Sequence, residues 1–227
     1  LVIYLLVPLI RYSLPTFLAE VVIDIASDPE SGSVRANEPI ISPVESAVSY
    51  LITVPLQIWF IFWLLRRRKI DLSKNLGLYH FNGNALIYSL VAYVILYLVL
   101  TVYSYAFQIS PPEEFIKLMQ ATPFVLNFLM VVIGAPIVEE LLFRGFLFSQ
   151  LKTTKLGVNG SIILTSLIWT SIHLQYDLFL LIPIFLLGLL LGYLMHKYNS
   201  LYLVIIVHAV HNLQATLFIE FFYDYFY

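Results

Sequence analysis

Long apolar runs, each near the length that crosses a lipid bilayer, recur along this chain and constrain its fold more than any other feature. Hydrophobic residues make up 60% of the 227 positions and charged residues only 11%, whereas an ordinary soluble domain has about 25% charged residues. A continuous apolar run of roughly 20 residues satisfies its backbone polar groups in lipid by forming a helix. The sequence therefore predicts an all-α, polytopic transmembrane bundle of about seven helices, forming a single integral membrane domain over residues 1–227.

Seven apolar segments are separated by polar connections. They are expected at Leu1–Ile23, Glu45–Leu65, Ala85–Phe107, Thr122–Val138 continuing into Phe148, Ser161–Leu174, Leu178–Met195 and Leu201–Phe222. Charged residues and a proline interrupt the first segment, and the fifth is short for a membrane span. Asp24–Pro43 is expected to be a solvated loop, and Asp71–Asn84 and Gln108–Ala121 are the other substantial connections between the segments. Because the chain begins at Leu1 rather than Met, a preceding signal or helix could be missing.

Basic residues are distributed unevenly between the two ends of these segments. Nine fall on one side, namely Arg66, Arg67, Arg68, Lys69, Lys74, Arg144, Lys152, Lys155 and Lys197. Since basic loops remain cytoplasmic, this side is expected to face the cytoplasm, in a multi-pass protein of a prokaryotic plasma membrane. The net charge of −2 is too small to indicate a nucleic-acid partner. The absence of cysteine excludes disulfides, thiolate metal sites and a Cys nucleophile.

Charged side chains within the fourth apolar segment mark the first candidate site. Glu139, Glu140 and Arg144 lie in the run Val-Glu-Glu-Leu-Leu-Phe-Arg-Gly, and a charge at this depth costs roughly 2.5 to 3.5 kcal/mol on insertion scales. Helical spacing puts Glu140 and Arg144 on one face, where they can pair, and turns Glu139 about 100° away. Glu139, desolvated and without a local cation, would be suited to take a proton from water. Pro136 is expected to kink the helix and free a carbonyl. The alternative is a structural ion pair at the membrane boundary, with Glu139 pointing outward.

Two further groups of polar side chains lie on later apolar segments. Trp169 precedes His173 by four residues, and a single histidine in such surroundings is more often a hydrogen-bonded interior residue than a catalyst. His208 and Asn212 share one helix face, with His211 beside them. Three polar side chains on one side of a membrane helix should point into the bundle, either as interhelical hydrogen bonds or as the lining of a water-filled cavity.

Three motifs in this order, Glu-Glu-x-x-x-Arg, aromatic-x-x-x-His and His-x-x-x-Asn, resemble those of the CAAX protease and bacteriocin-processing family. This is also called the Abi family of glutamate-type intramembrane proteases. The resemblance covers residues 139–212 and places the catalytic core at 122–222. The second motif of the family usually begins with Phe where this chain has Trp169, and His211 is not part of the family pattern.

The resemblance implies roles for six residues: water activation by Glu139 and His173, oxyanion binding by His208 and Asn212, and organisation of the motif helix by Glu140 and Arg144. Hydrolysis of a peptide bond needs a base within reach of a water and preorganised donors at the carbonyl oxygen, and these residue types supply both. The resemblance thus implies an intramembrane endopeptidase that acts on a peptide or membrane-protein substrate, with no cofactor and no metal. The distribution of basic residues puts its expected site near the cytoplasmic leaflet.

Two other functions fit the same residues. A zinc-dependent membrane protease would use Glu139 or Glu140 together with His173, His208 and His211 as ligands, although the chain has no His-Glu-x-x-His helix. A non-proteolytic membrane protein of the same fold would act in bacteriocin immunity, as a scaffold, or in handling a small solute. The substrate, its cleavage site, the oligomeric state and the role of the extra histidine cannot be derived from the sequence.

Overall fold

A computed structural model describes residues 43–67, 71–174 and 176–226, and within these ranges every regular element is a helix. In chain order the helices are α1 Pro43–Arg67, α2 Leu72–Leu76, α3 Gly83–Ala106, α4 Glu113–Ala121, α5 Phe124–Leu151, α6 Gly157–Ser171, α7 Leu178–Tyr198, α8 Leu201–Phe221 and α9 Tyr223–Phe226. The predicted all-α fold is confirmed. The predicted first segment, Leu1–Ile23, and the predicted loop that follows it lie outside the described residues.

Four of these helices, α3, α5, α7 and α8, are long and apolar enough to cross a membrane. Their ends lie within three residues of the predicted bounds. Helix α6 has 15 residues, which gives a length of about 22 Å against a hydrocarbon thickness of about 30 Å. The chain is therefore a multi-pass membrane protein in which α6 ends short of a full crossing.

The predicted connection Asp71–Asn84 contains the short helix α2, which the sequence pattern did not indicate. Asp71 caps this helix by accepting a hydrogen bond from the Lys74 backbone N–H at 3.1 Å. Gly77 ends it in the left-handed region, at φ 67°, where its N–H donates to the carbonyl of Ser73. One turn of helix has too weak a hydrophobic pattern to be predicted on its own.

The predicted connection Gln108–Ala121 likewise contains a helix, α4, after its two prolines. This helix begins after a proline and has Glu113 and Glu114 in its first turn, where carboxylates favour a helix start. Ile116 and Met119 are buried against Ile219 of α8. The helix is amphipathic and too short to span a membrane, so a search for long apolar runs does not find it.

Helix α5 lies at the centre of the bundle, in contact with α1, α2, α6, α7 and α8. Helices α6 and α7 pack closely at Gly188 and Gly192, whose small-xxx-small spacing predicts such an approach. A Cβ atom on Gly188 would lie 3.0 Å from the Ser166 Cβ, and one on Gly192 would lie 3.0 Å from the Ile162 Cγ2. This pair of glycines therefore serves packing inside the bundle.

The hydrogen-bond register of α5 changes along its length. Phe128–Gly134 and Leu141–Leu147 are π-helical, and Ala135–Glu140 between them is α-helical. Short π-helical segments are rare in proteins, and those that do occur are often found at functional sites. Both candidate glutamates thus lie in the short α-helical section between two changes of register.

Candidate active site

A fully buried ion pair on α5 forms the base of the site. Arg144 Nη1 donates to Glu140 Oε1 at 2.8 Å, and both side chains are 0% exposed. Arg144 Nη2 donates to the backbone carbonyl of Gly188 in α7 at 3.1 Å. The predicted pairing of Glu140 with Arg144 is confirmed, and it neutralises two charges that would be very costly if buried separately.

His208 of α8 joins this pair from a second helix. Its Nδ1 lies 2.9 Å from Glu140 Oε1, the oxygen that also accepts from Arg144. Because an ionised carboxylate only accepts hydrogen bonds, the His208 Nδ1 carries the hydrogen. The other ring nitrogen, Nε2, lies 3.9 Å from Glu139 Oε2. His208 is therefore held between the two glutamates.

Glu139 differs from its neighbour in both exposure and partners. Its side chain is 21% exposed, whereas that of Glu140 is fully buried. Its Oε2 accepts a hydrogen bond from Trp169 Nε1 of α6 at 2.6 Å. Glu139 therefore points toward α6 and α8, and it is the carboxylate of the pair that keeps part of its surface exposed.

His173 lies just beyond the C-terminal end of α6 and is half-buried. Its Nδ1 donates to the backbone carbonyl of Trp169 at 3.0 Å, because a carbonyl oxygen can only accept. In the neutral ring this fixes the tautomer and leaves Nε2 as a proton acceptor. The His173 ring meets the Trp169 ring edge to face at 5.3 Å and stacks on Tyr176 at 6.3 Å between centroids.

Asn212 contacts the backbone of α5 on the N-terminal side of the two glutamates. Its Nδ2 donates to the carbonyl of Val131 at 2.8 Å. The Ala135 N–H bonds in π register to the Met130 carbonyl, so the Val131 carbonyl would pair with the N–H of residue 136, which is Pro and has none. The predicted free carbonyl is thus that of Val131, and the Asn212 amide satisfies it.

His211 is directed away from the glutamates, toward α3. Its Nδ1 lies 3.4 Å from the hydroxyl of Tyr93, and the two rings meet edge to face at 5.8 Å. One turn further along α8, Gln214 Nε2 donates to the hydroxyl of Tyr97 at 3.1 Å. His211 therefore belongs to a polar contact between α8 and α3.

Trp169 lies at the centre of the site, and sequence reasoning missed this role. Its indole is 2% exposed, and the rings of His173 and His208 both lie 5.3 Å from it, edge to face. The guanidinium carbon of Arg144 lies 4.6 Å from the ring centroid, over the ring face. A signal was available, because a tryptophan buried among apolar residues must find an acceptor for its N–H, and the nearby motif supplies carboxylates.

The residues considered as zinc ligands are not gathered into a metal-binding group. Across the described ranges, no three His, Asp or Glu side chains are grouped so that they could hold a metal ion. Glu140 Oε1 already accepts from Arg144 and His208, and His211 faces Tyr93.

Comparison with known proteins identifies the part of the chain that carries this site. Residues 121–214 match a family model described as type II CAAX prenyl endopeptidase Rce1-like. The matched range contains all three motifs. It therefore includes the part of α5 with Glu140 and the part of α8 with His208, which contact each other. No curated protein and no solved structure matches the chain. The segment that builds the candidate site is therefore similar to the Rce1-like family, in agreement with the resemblance found from its motifs.

Proposed function

We propose that this protein is an intramembrane endopeptidase that hydrolyses a peptide bond with a water activated by Glu139 and His173. The family match supports a CAAX-type intramembrane protease or a related family member. The observation that carries the proposal is that the two glutamates differ in exposure and in hydrogen-bond partners. Glu140 is buried and bonded to Arg144 and His208. Glu139 is partly exposed and lies 3.9 Å from His208 Nε2, and it accepts from Trp169, whose ring also contacts His173.

Water activation requires a base that is both accessible and oriented. Trp169 holds Glu139 Oε2, which leaves Oε1 to accept a hydrogen from a water molecule. His173 donates through Nδ1 to a backbone carbonyl, so its Nε2 is the basic nitrogen of the neutral ring. A carboxylate and an imidazole in these states are suited to share the removal of a proton from the attacking water.

Oxyanion binding places a condition on His208. Its Nδ1 hydrogen is already donated to Glu140, so donation to an oxyanion must use an Nε2 hydrogen, and the ring must then carry both protons. Carboxylate oxygens of Glu140 and Glu139 lie 2.9 and 3.9 Å from the two ring nitrogens of His208. Asn212 donates one amide hydrogen to the Val131 carbonyl, and its second amide hydrogen can be donated to the oxyanion.

The proposed substrate is a peptide, or a segment of a membrane protein, that reaches the site from the cytoplasmic leaflet. The basic residues Arg66, Arg67, Lys152 and Lys197 lie at helix ends that the charge bias assigns to the cytoplasm. The name of the matched family refers to a CAAX prenyl endopeptidase. A peptide with a prenylated C-terminal CAAX sequence is therefore the first substrate class to test.

Purified protein in lipid vesicles should cleave members of a peptide library that contains prenylated and unprenylated sequences. Glu139→Ala, His173→Ala and His208→Ala should lose this activity, and loss of a single oxyanion donor typically costs about 100- to 1000-fold. Glu114→Gln, an exposed substitution on α4, is the matched control. If folded wild type and all three site variants behave alike, the catalytic assignment is wrong, and a non-proteolytic role in this family is favoured.

A chelator separates the metal-free mechanism from a zinc-dependent one. Activity retained after exhaustive chelation supports the Glu/His mechanism proposed here. Activity that is lost and then restored specifically by zinc supports the zinc-dependent protease instead.

A further inference from the structure

We infer that Trp169 is a positioning residue that orients Glu139 through its indole N–H, an inference that rests on the endopeptidase function proposed above. Trp169 Nε1 lies 2.6 Å from Glu139 Oε2. Phe, which usually begins the second motif of the family, could pack in the same place but has no hydrogen to donate. The chain therefore has a contact to its proposed base that the usual residue cannot make.

Neighbouring side chains pack against the Trp169 indole on several sides and fix the direction of its N–H. The Arg144 guanidinium covers its face at 4.6 Å, and the rings of His173 and His208 meet it edge to face. On the side of α7, a Cβ atom at Gly188 would lie 3.1 Å from the Trp169 Cε3. An aromatic ring confined on several sides cannot rotate without repacking the core, so the position of its donor is preorganised.

Glu139 depends on this donor because little else fixes its carboxylate. The side chain is unbranched and 21% exposed, and the terminal torsion of a glutamate is broad. The nearest competing partner is the His208 Nε2, at 3.9 Å from the same oxygen that Trp169 binds. Without the indole N–H, the carboxylate could close onto His208 and form an ion pair that occupies the proposed base and the proposed oxyanion donor together.

The titratable groups around Glu139 come from three elements. Glu140 and Arg144 lie on α5, His208 lies on α8, and His173 follows α6. The indole is the neutral donor in this group, so it can fix the carboxylate without cancelling its charge. This distinguishes it from Arg144 and His208, either of which would neutralise the base by pairing with it.

Trp169→Phe removes the N–H and keeps an aromatic ring. Hydrogen bonds to charged groups are stronger than those between neutral groups. Loss of this one should lower kcat about 10- to 100-fold and change KM less than about threefold. A purely structural role would instead lower the amount of folded protein and leave the kcat of the folded fraction unchanged. Replacement of Trp169 by 3-benzothienylalanine, which has the shape of tryptophan and no N–H, should reproduce the loss of kcat if the Phe variant does not fold.

A spectroscopic test makes the inference independent of activity. The chain has three tryptophans, so Trp59→Phe combined with Trp63→Phe leaves a single indole N–H resonance in ¹⁵N-labelled protein. We expect a downfield resonance that moves upfield in Glu139→Ala and stays in place in the control Glu114→Gln. A resonance unaffected by Glu139→Ala overturns the inference and leaves the proposed function standing. The expected shift in a protein that cleaves no peptide overturns the proposed function and leaves the contact established.

Discussion

His208 Nδ1 lies 2.9 Å from Glu140 Oε1, so a histidine of α8 and a glutamate of α5 are joined inside the membrane bundle. The same oxygen accepts from Arg144 at 2.8 Å. Glu140 therefore fixes two donors and has no access to water, which makes it a structural counterpart to the partly exposed Glu139. The two adjacent carboxylates should respond very differently to the same substitution.

Glu140→Gln should strongly destabilise the protein. It leaves the Arg144 charge without its partner at full burial, and breaking a buried pair in this way typically costs about 3–5 kcal/mol. Glu139→Gln should change unfolding much less, because Glu139 is partly exposed and an amide oxygen can still accept from Trp169. Thermal unfolding of both variants in the same detergent measures the difference.

The matched control for this prediction is Glu113→Gln on α4. Glu113 pairs with Lys117 at 2.6 Å with the same spacing of four residues, but at the exposed surface. The hydrogen bond from Lys117 and its charge lower the pKa of Glu113, yet exposed pairs of this kind contribute little to stability. Equal losses for Glu113→Gln and Glu140→Gln would contradict the assignment of Glu140 to a buried structural pair.

Asn212→Ala should destabilise the protein because it leaves the Val131 carbonyl without a donor. An unsatisfied buried carbonyl costs about 1–3 kcal/mol, and because this contact is only partly buried we expect a loss at the lower end of that range. Pro136→Ala supplies an N–H at the position that faces Val131 in the π register, so the double variant should recover part of the lost stability. Chemical or thermal unfolding of the two single variants and the double variant gives the coupling between the sites.

Activity of the same double variant reports the second role of Asn212. If the amide also binds the oxyanion, cleavage stays reduced by about 100-fold or more even where stability recovers. Recovery of both stability and activity would show that Asn212 acts only on the helix backbone. Strictly additive losses in stability would contradict the proposed contact between Asn212 and the carbonyl freed by Pro136.

Gly188→Ala should disturb the site through packing. The new Cβ would lie 3.0 Å from the Ser166 Cβ and 3.1 Å from the Trp169 Cε3, and overpacking of this kind costs about 1–3 kcal/mol. It would also move the Gly188 carbonyl that accepts from Arg144. Gly83→Ala at the start of α3 is the control, because no atom lies within 4 Å of the added Cβ. Equal thermal stability of the two variants would mean that α6 and α7 are not in close contact at Gly188.

The spans of the fold were predictable because a bilayer imposes one length and one polarity on every crossing. Helices α3, α5, α7 and α8 follow from that requirement almost to their ends. Helix α4 does not, because it lies outside the long apolar runs and depends on burying Ile116 and Met119 against α8. The π-helical segments of α5 could not be predicted either, since their register depends on contacts with other helices, such as Asn212 with Val131.

Sequence patterns named the residues of the candidate site but few of the contacts that the structure gives them. The pairing of Glu140 with Arg144 is local in sequence and follows from helical spacing. The contact of Glu140 with His208 joins residues 68 positions apart, and helix spacing carries no information about such a pair. Trp169 was recognised as part of a motif, but its hydrogen bond to Glu139 requires the relative rotation of α5 and α6, which only the packed bundle defines.

His211→Gln should leave catalysis largely intact, in contrast to His208→Ala. The ring of His211 faces Tyr93 of α3 at 3.4 Å from the hydroxyl, on the side of α8 away from the glutamates. Hydrogen bonds between membrane helices average about 0.6 kcal/mol, so a slightly lower unfolding temperature and a cleavage rate within about threefold of wild type are expected. Tyr93→Phe should have a similar effect, because it removes the same contact from the other helix. A folded His211→Gln protein with no cleavage activity, beside an active Tyr93→Phe protein, would mean that His211 acts on the reaction itself and that its contact with Tyr93 is secondary.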